Sequence, residues 1–284
     1  MFLVIGANGN IGSQVVRGLL AQGAPVRVLV RDADKAKASF GARVDVVAGD
    51  VADGAALERA FAGIAGAFVL TTGEAVLQEP AVFAAAARAG VRHAVKLSVM
   101  GAQAGSPIHL ADRHGRSEDA LRASGVPWTI LQPQSFLSNL RDSGATIRAE
   151  GRMYGASKDG AVAYVDTGDI AAVAVAALRD PARHAGQTHR LTGPQAFSAA
   201  EVAAKIGAAI GRTVTYVDLP IPVFVDNVKK AGVPGWLADD FGLLNAWFAS
   251  GAAATVLDTV EKVTGRPPRT LDGWLADNLD AFRP

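Results

Sequence analysis

Gly6, Gly9 and Gly12 stand three residues apart in FLVIGANGNIGSQ, between an apolar run and an amphipathic one. Glycines so placed permit a tight strand-to-helix turn, let backbone approach a pyrophosphate, and let helix pack close to strand, with the phosphate at the positive helix end. Asn8 and Asn10 are turn-forming residues, so the same spacing also serves a turn that holds no ligand. Arg31 closes the next apolar run, VRVLV, with Lys35 close behind. At that point a site selective for free ribose hydroxyls carries an acid. A guanidinium instead pairs bidentately with phosphate oxygens, so the pattern predicts NADP(H). The alternative is a solvated surface arginine partly neutralised by Asp32. Asp50 ends the third run, where it would meet the adenine or cap a loop.

Tyr154 and Lys158, in YGASK, stand four residues apart, a spacing that puts both side chains on one face when the segment is helical. Gly151, Gly155 and Gly160 punctuate that segment, which therefore reads as a loop, and the spacing as coincidence. Tyr154 is expected to line the substrate mouth. His93 and His109 lack acids at metal-ligand spacing, and no metal site is expected.

The elements that would position these residues follow from the alternation of β-branched and alanine-rich stretches. Strands are predicted at FLVIG, VRVLV (26–30), VDVVAGD (44–50), AFVLTT (67–72), HAVKLS (93–98) and WTILQP (128–133). Helices are predicted over 11–22, 80–89 and 116–123. Six strands of a doubly wound parallel sheet are in place by Pro133. A glycine-rich loop over 151–160 follows, then Asp169 capping IAAVAVAAL, a strand at THRLTG, and a helix over 198–210 with Ser198 and Glu201 at capping-box spacing. From Thr213 a separate, mostly helical lobe is expected. The division is therefore a Rossmann-type domain over 1–135, joined by helix and strand from about 165–193, and a substrate lobe over 136–164 and 194–284.

With 284 residues, half of them apolar, the chain buries a full-sized core. Lys plus Arg (28) balances Asp plus Glu (27), which excludes a global field drawing the chain to nucleic acid or an anionic membrane. The absence of cysteine excludes disulfides, thiolate metal sites and cysteine nucleophiles. With no basic leader and no stretch approaching the ~20 apolar residues of a membrane span, a cytoplasmic location is expected.

The glycine loop, LVRDADKA, VAGDVAD, VKLSVMGA and GVPWTILQPQSFLSN, read in order, resemble the NmrA-like atypical short-chain dehydrogenase/reductases. Within that family, LADRH followed by GRSEDAL and TILQP is similar to the NADPH-dependent quinone oxidoreductase branch. The resemblance implies a Rossmann fold with a small C-terminal substrate lobe. It further implies Gly6, Asn8, Gly9, Asn10, Ile11 and Gly12 around the pyrophosphate, Arg31 at the 2′-phosphate, and Asp50 and Val51 by the adenine. Thr71 and Thr72 would pass along the ribose, Ser98 would lie on the nicotinamide side, and the Gln132 to Ser135 turn, which holds Pro133 and Gln134, would close over it. Strand-end capping is the other reading of Thr71, Thr72 and Ser98.

The wider superfamily's Tyr-x-x-x-Lys pair is missing: Leu110 takes the tyrosine position and His114 the lysine position. Without that acid, hydride transfer to a quinone-like or azo acceptor is expected, because the resulting anion is delocalised and water can protonate it. His114 would supply a proton, touch the nicotinamide ribose, or sit as a satisfied helix histidine. Phe136 and Tyr154 would contact a small aromatic substrate. The rival reading is an NADP(H)-sensing regulator without turnover; a third is reduction of an aromatic natural product, as in isoflavone-reductase-like relatives. Trp236, Phe241, Trp247 and Phe248 crowd the C-terminal helices, where they would form an aromatic pocket or a homodimer surface.

Overall fold

Strand-forming runs that are apolar on both faces, separated by amphipathic helices, can bury themselves only in a parallel sheet covered on two sides. The computed structural model describes residues 1–283. In chain order it places Phe2–Ile5 (β1), Asn10–Ala21 (α1), Val26–Val30 (β2), Ala33–Phe40 (α2), Val44–Ala48 (β3), Gly54–Phe61 (α3), Gly66–Val69 (β4), Glu79–Arg88 (α4), His93–Leu97 (β5), His109–Ala123 (α5) and Trp128–Pro133 (β6). Then come Gly144–Glu150 (α6), Arg152–Gly155 (β7), Ala161–Val162 (β8), Thr167–Arg179 (α7), Pro181–His184 (α8), Gln187–Leu191 (β9) and Phe197–Ser198 (β10). Ala199–Ile210 (α9), Thr215–Asp218 (β11), Ile221–Lys230 (α10), Gly235–Ala249 (α11), Thr259–Thr264 (α12) and Leu271–Ala276 (α13) complete it.

Met1–Pro133 and Thr167–Arg190 form one compact unit. Its sheet has the order β3-β2-β1-β4-β5-β6-β9. The pairings from β3 through to β6 are parallel, with Phe2 opposite both Val26 and Gly66. This is a Rossmann-type doubly wound sheet. The order reverses between β1 and β4, and in such sheets the ligand crevice lies beyond the carboxyl ends of the strands at that reversal. Leu57, Phe61, Val82, Phe83 and Leu121 from α3, α4 and α5 close one face. Each such buried side chain contributes about 1.5–3 kcal/mol. Helices α1 and α7 pack on each other over the opposite face.

Gln134–Asp166 and Leu191–Pro284 form the second unit, with its own core of Leu137, Ile147, Val202, Ile206, Trp274, Leu275 and Phe282. Ser198 caps α9: its hydroxyl accepts from the Glu201 N–H while the Glu201 carboxylate accepts from the Ser198 N–H, a reciprocal capping box. Helix α10 buries none of its residues, and Trp236, Phe241, Trp247 and Phe248 of α11 are all half-buried.

Three local expectations need correction. The 151–160 segment is not all loop, because β7 occupies Arg152–Gly155 and pairs in parallel with β11, a long-range partner that glycine punctuation conceals. Helix α5 starts at His109 rather than Arg116; polar residues in its first two turns obscure the apolar period. Strand β4 ends at Val69, and α7 opens at Thr167, which leaves Asp169 in the first turn instead of at the cap.

Candidate active site

The strongly apolar β1 ends at Ile5 and α1 opens at Asn10, so the four-residue loop between them must turn close to the sheet. Gly6 adopts φ +85°, and a Cβ there would stand 2.5 Å from the Leu70 carbonyl oxygen. A Cβ at Gly12 would lie 2.2 Å from the Gly6 carbonyl oxygen, so the first turn of α1 rests on the loop itself. Gly9 is the N-cap and offers no side-chain bond to the helix amides, which leaves those donors for an anion. Ile11 packs inward at 5% exposure. Asn10 faces outward and its backbone carbonyl accepts from Ser13 and Gln14.

Asn8 ties this loop to the next strand end, its Nδ2 donating to the Asp32 carbonyl oxygen at 2.9 Å. Its Oδ1 is buried without a partner, an acceptor suited to a hydroxyl or amide of a bound group. Arg31 stands 85% exposed, with Nε 3.8 Å from Asp50 Oδ2. An exposed pair at that distance is worth less than about 1 kcal/mol and yields readily to a phosphate. Asp32 caps α2, its Oδ1 accepting from the Lys35 N–H at 2.8 Å. Asp50 accepts from the Ala52 N–H at 3.0 Å, the loop-capping role, and Val51 beside it is buried. The cradle thus fits a dinucleotide: close-approach glycines, helix amides without a side-chain cap, an orphaned acceptor and a lightly held guanidinium.

Beyond β4 and β5 the side chains turn inward. Thr71 donates to Glu79 Oε1 at 2.7 Å, while Thr72 is exposed ahead of a short 3-10 turn. Ser98, 1% exposed, donates to Glu118 Oε1, whose carboxylate also accepts from Gln132 and Arg122, each at 2.9 Å. The Ser98 hydroxyl proton is therefore engaged in the interior.

His114 keeps 5% of its surface, and its Nδ1 lies 3.3 Å from Lys96 Nζ. Burial first, and then the Lys96 charge, hold its pKa down to about 3, so the ring is neutral at working pH. Lys96 is fully buried; it donates to Glu79 Oε2 at 2.5 Å and to the Leu97 carbonyl oxygen at 3.2 Å. Ser117 donates to the same Glu79 oxygen. Leu110 lies one turn before His114 on the same face of α5.

Lys96, Glu79, Ser117 and Glu118 escaped sequence reasoning. The available signal was the lysine inside HAVKLS: a cation in a strand apolar on both faces must find a buried anion.

Pro133 belongs to the first unit, and Gln134, Phe136 and Tyr154 belong to the second. The Pro133 carbonyl ends β6 and accepts from Met100 N–H at 3.0 Å, whereas the Gln134 N–H donates to Leu191 at 2.8 Å. Phe136 bridges to Val165 and is half-buried. Tyr154 lies on β7 and donates to Glu150 Oε2 at 2.6 Å. Lys158 follows in a loop with φ +50°, its N–H on Asp218 at 2.8 Å, so Tyr154 and Lys158 share no helix face. Among the described residues no group of three acidic or histidine side chains could hold a metal ion.

A family model described as NmrA-like matches residues 1–275. The chain is similar to an NAD(P)H azoreductase from Xenophilus azovorans, 40% identical over 284 residues and covering 99% of each chain. It is 38% identical over 285 residues to a (4-alkanoyl-5-oxo-2,5-dihydrofuran-3-yl)methyl phosphate reductase from Streptomyces griseus subsp. griseus, with 100% of both covered. A crystal structure of an NADPH-dependent quinone oxidoreductase from Escherichia coli, complexed with NADPH, matches with a TM-score of 0.89 at 29% identity, covering 98% of this chain and 99% of that one.

Proposed function

This chain belongs to the NmrA-like family, and from that premise we propose that it is an NADP(H)-dependent oxidoreductase that reduces azo or quinone-type acceptors. The observation that carries this reading is similarity along the whole chain to a named azoreductase, with the glycine cradle intact at the point where the sheet order reverses.

When bound, the dinucleotide supplies hydride from its reduced nicotinamide. Gly6, Asn8, Gly9, Asn10, Ile11 and Gly12 would hold the pyrophosphate, Arg31 would pair with the 2′-phosphate, and Asp50 and Val51 would serve the adenine. Thr71, Thr72, Pro133 and Gln134 would serve the nicotinamide side of the cofactor, and Phe136 and Tyr154 would serve acceptor binding. Quinones and an acylated oxo-dihydrofuran share conjugation that delocalises the charge left by hydride addition, so they need positioning and water exclusion more than an acid. An azo group leaves a more basic nitrogen anion and draws on a proton donor as well.

The test is loss of reduced-nicotinamide absorbance with an azo dye or a benzoquinone, using wild type and Arg31→Ala with NADPH and NADH. The expected result is acceptor-dependent turnover that prefers NADPH, with KM for NADPH raised about 10- to 100-fold in the variant and NADH unaffected. Tight NADPH binding without oxidation on either acceptor would replace the enzyme with a dinucleotide sensor.

A further inference from the structure

We propose that His114 gives the acceptor its proton from Nε2, and that Lys96, held by Glu79, is the positioning residue that fixes the ring's tautomer and supplies Nδ1 in exchange. This rests on the reductase reading and deepens it by naming the proton source that the missing tyrosine leaves open.

Lys96 has three N–H donors, and all are placed: on Glu79 Oε2, on the Leu97 carbonyl oxygen and on His114 Nδ1. Glu79 is equally complete, receiving Thr71 on one oxygen and Lys96 with Ser117 on the other. An ammonium cannot accept a hydrogen bond, so Nδ1 must present its lone pair and the ring proton must sit on Nε2. Among the described residues no carboxylate hydrogen-bonds to the ring, whose one such partner is Lys96. Glu79, the nearest acid in this network, is separated from it by the lysine, and Glu118 on the same helix is bound to Ser98, Gln132 and Arg122. The imidazolium is therefore disfavoured, in keeping with the depressed pKa, and the ring acts as a neutral donor.

The step balances. As hydride arrives, the acceptor's oxygen or nitrogen takes the Nε2 proton and Lys96 Nζ passes a proton to Nδ1. The ring stays neutral with its proton on the other nitrogen, and Lys96 is left as an amine beside the Glu79 carboxylate. After product leaves, water protonates Nε2 and Nδ1 returns its proton to Lys96, so the buried amine never has to meet solvent. A quinone yields a weakly basic phenolate that water protonates unaided, whereas an azo group yields a strongly basic nitrogen anion. The relay therefore matters most for azo acceptors.

The first measurement is ¹⁵N NMR of the histidine rings in the cofactor-free protein. The expected result is a protonated Nε2 and a bare Nδ1 at His114 from about pH 5 to about pH 8, with the tautomers mixed in Lys96→Met. The second compares His114→Phe with wild type on both acceptors: azo reduction falls about 100-fold or more, quinone reduction by less than about tenfold. A protonated Nδ1 in wild type, or equal losses on both acceptors, overturns the proposal. Should Lys96→Met not fold, the wild-type tautomer and the His114→Phe comparison decide without it. A wild-type protein that reduces neither acceptor removes the reductase reading and the donor role with it, and the ring spectra identify that case by still showing the Nε2 tautomer.

Discussion

His93 and Lys96 stand three residues apart on β5, so the alternation of the strand turns them to opposite faces of one sheet. Toward α4 and α5, Lys96 and Glu79 have every donor matched to an acceptor, and a full charge is held in the interior. Toward α8 the partners are fewer. The Thr129 hydroxyl gives its proton to the His184 carbonyl at 2.7 Å, so it must accept from His93 Nε2 at 2.9 Å, and His93 Nδ1 is left buried without a partner. His184 Nδ1 and His189 Nε2 meet at 3.0 Å, and burial holds the pKa of all three rings below the usual histidine value. A complete network can store charge for chemistry. An incomplete one tolerates only neutral rings and weakens in acid.

The comparison breaks most visibly at Lys96. Lys96→Met leaves the Glu79 carboxylate buried and uncompensated, at an expected cost of about 3–5 kcal/mol in urea unfolding. Adding Glu79→Gln should recover a large part of that loss, and a double variant no better than the single one would mean that the ion pair is not what the network protects.

The His93 side should report on pH. Unfolded, this ring takes up a proton near 6.5; folded, burial first and then His184 hold it down to about 4. Between those values the unfolded chain binds more protons, so the contribution is present above about pH 6.5 and is lost as pH falls toward 4, by no more than about 3 kcal/mol. His93→Leu should make stability less steep in that window. An unaltered slope would shift the acid sensitivity to His114, whose ring is held down to about 3.

Two hydroxyl deletions sharpen the contrast. Thr129→Val strips partners from His93 and from the His184 carbonyl together, for an expected loss of about 2 kcal/mol in thermal or urea unfolding. Ser117→Ala removes one of three donors to Glu79 and should cost about 1 kcal/mol, because Lys96 and Thr71 remain. Equal costs would show that completeness of the network gives no tolerance.

The alternation of strands and helices, the reversal crevice and the glycine cradle were legible because each depends on residues close in sequence. Glycine spacing, β-branched runs and the Ser198–Glu201 cap declare their geometry within one turn or one strand. β7 was not legible, since its only warrant is β11, some sixty residues away. Nor was the proton network. His114 was visible as a histidine where the family's lysine is expected, but its neutral state follows from burial first and then from Lys96, 18 residues earlier on a different element, and Lys96 in turn depends on Glu79, 17 residues before that. The chain by itself determined the cofactor cradle and the sheet that carries it. Only the tertiary structure decided which buried groups face one another, because hydrogen-bond partners and desolvation arise from packing between elements, which local spacing does not encode.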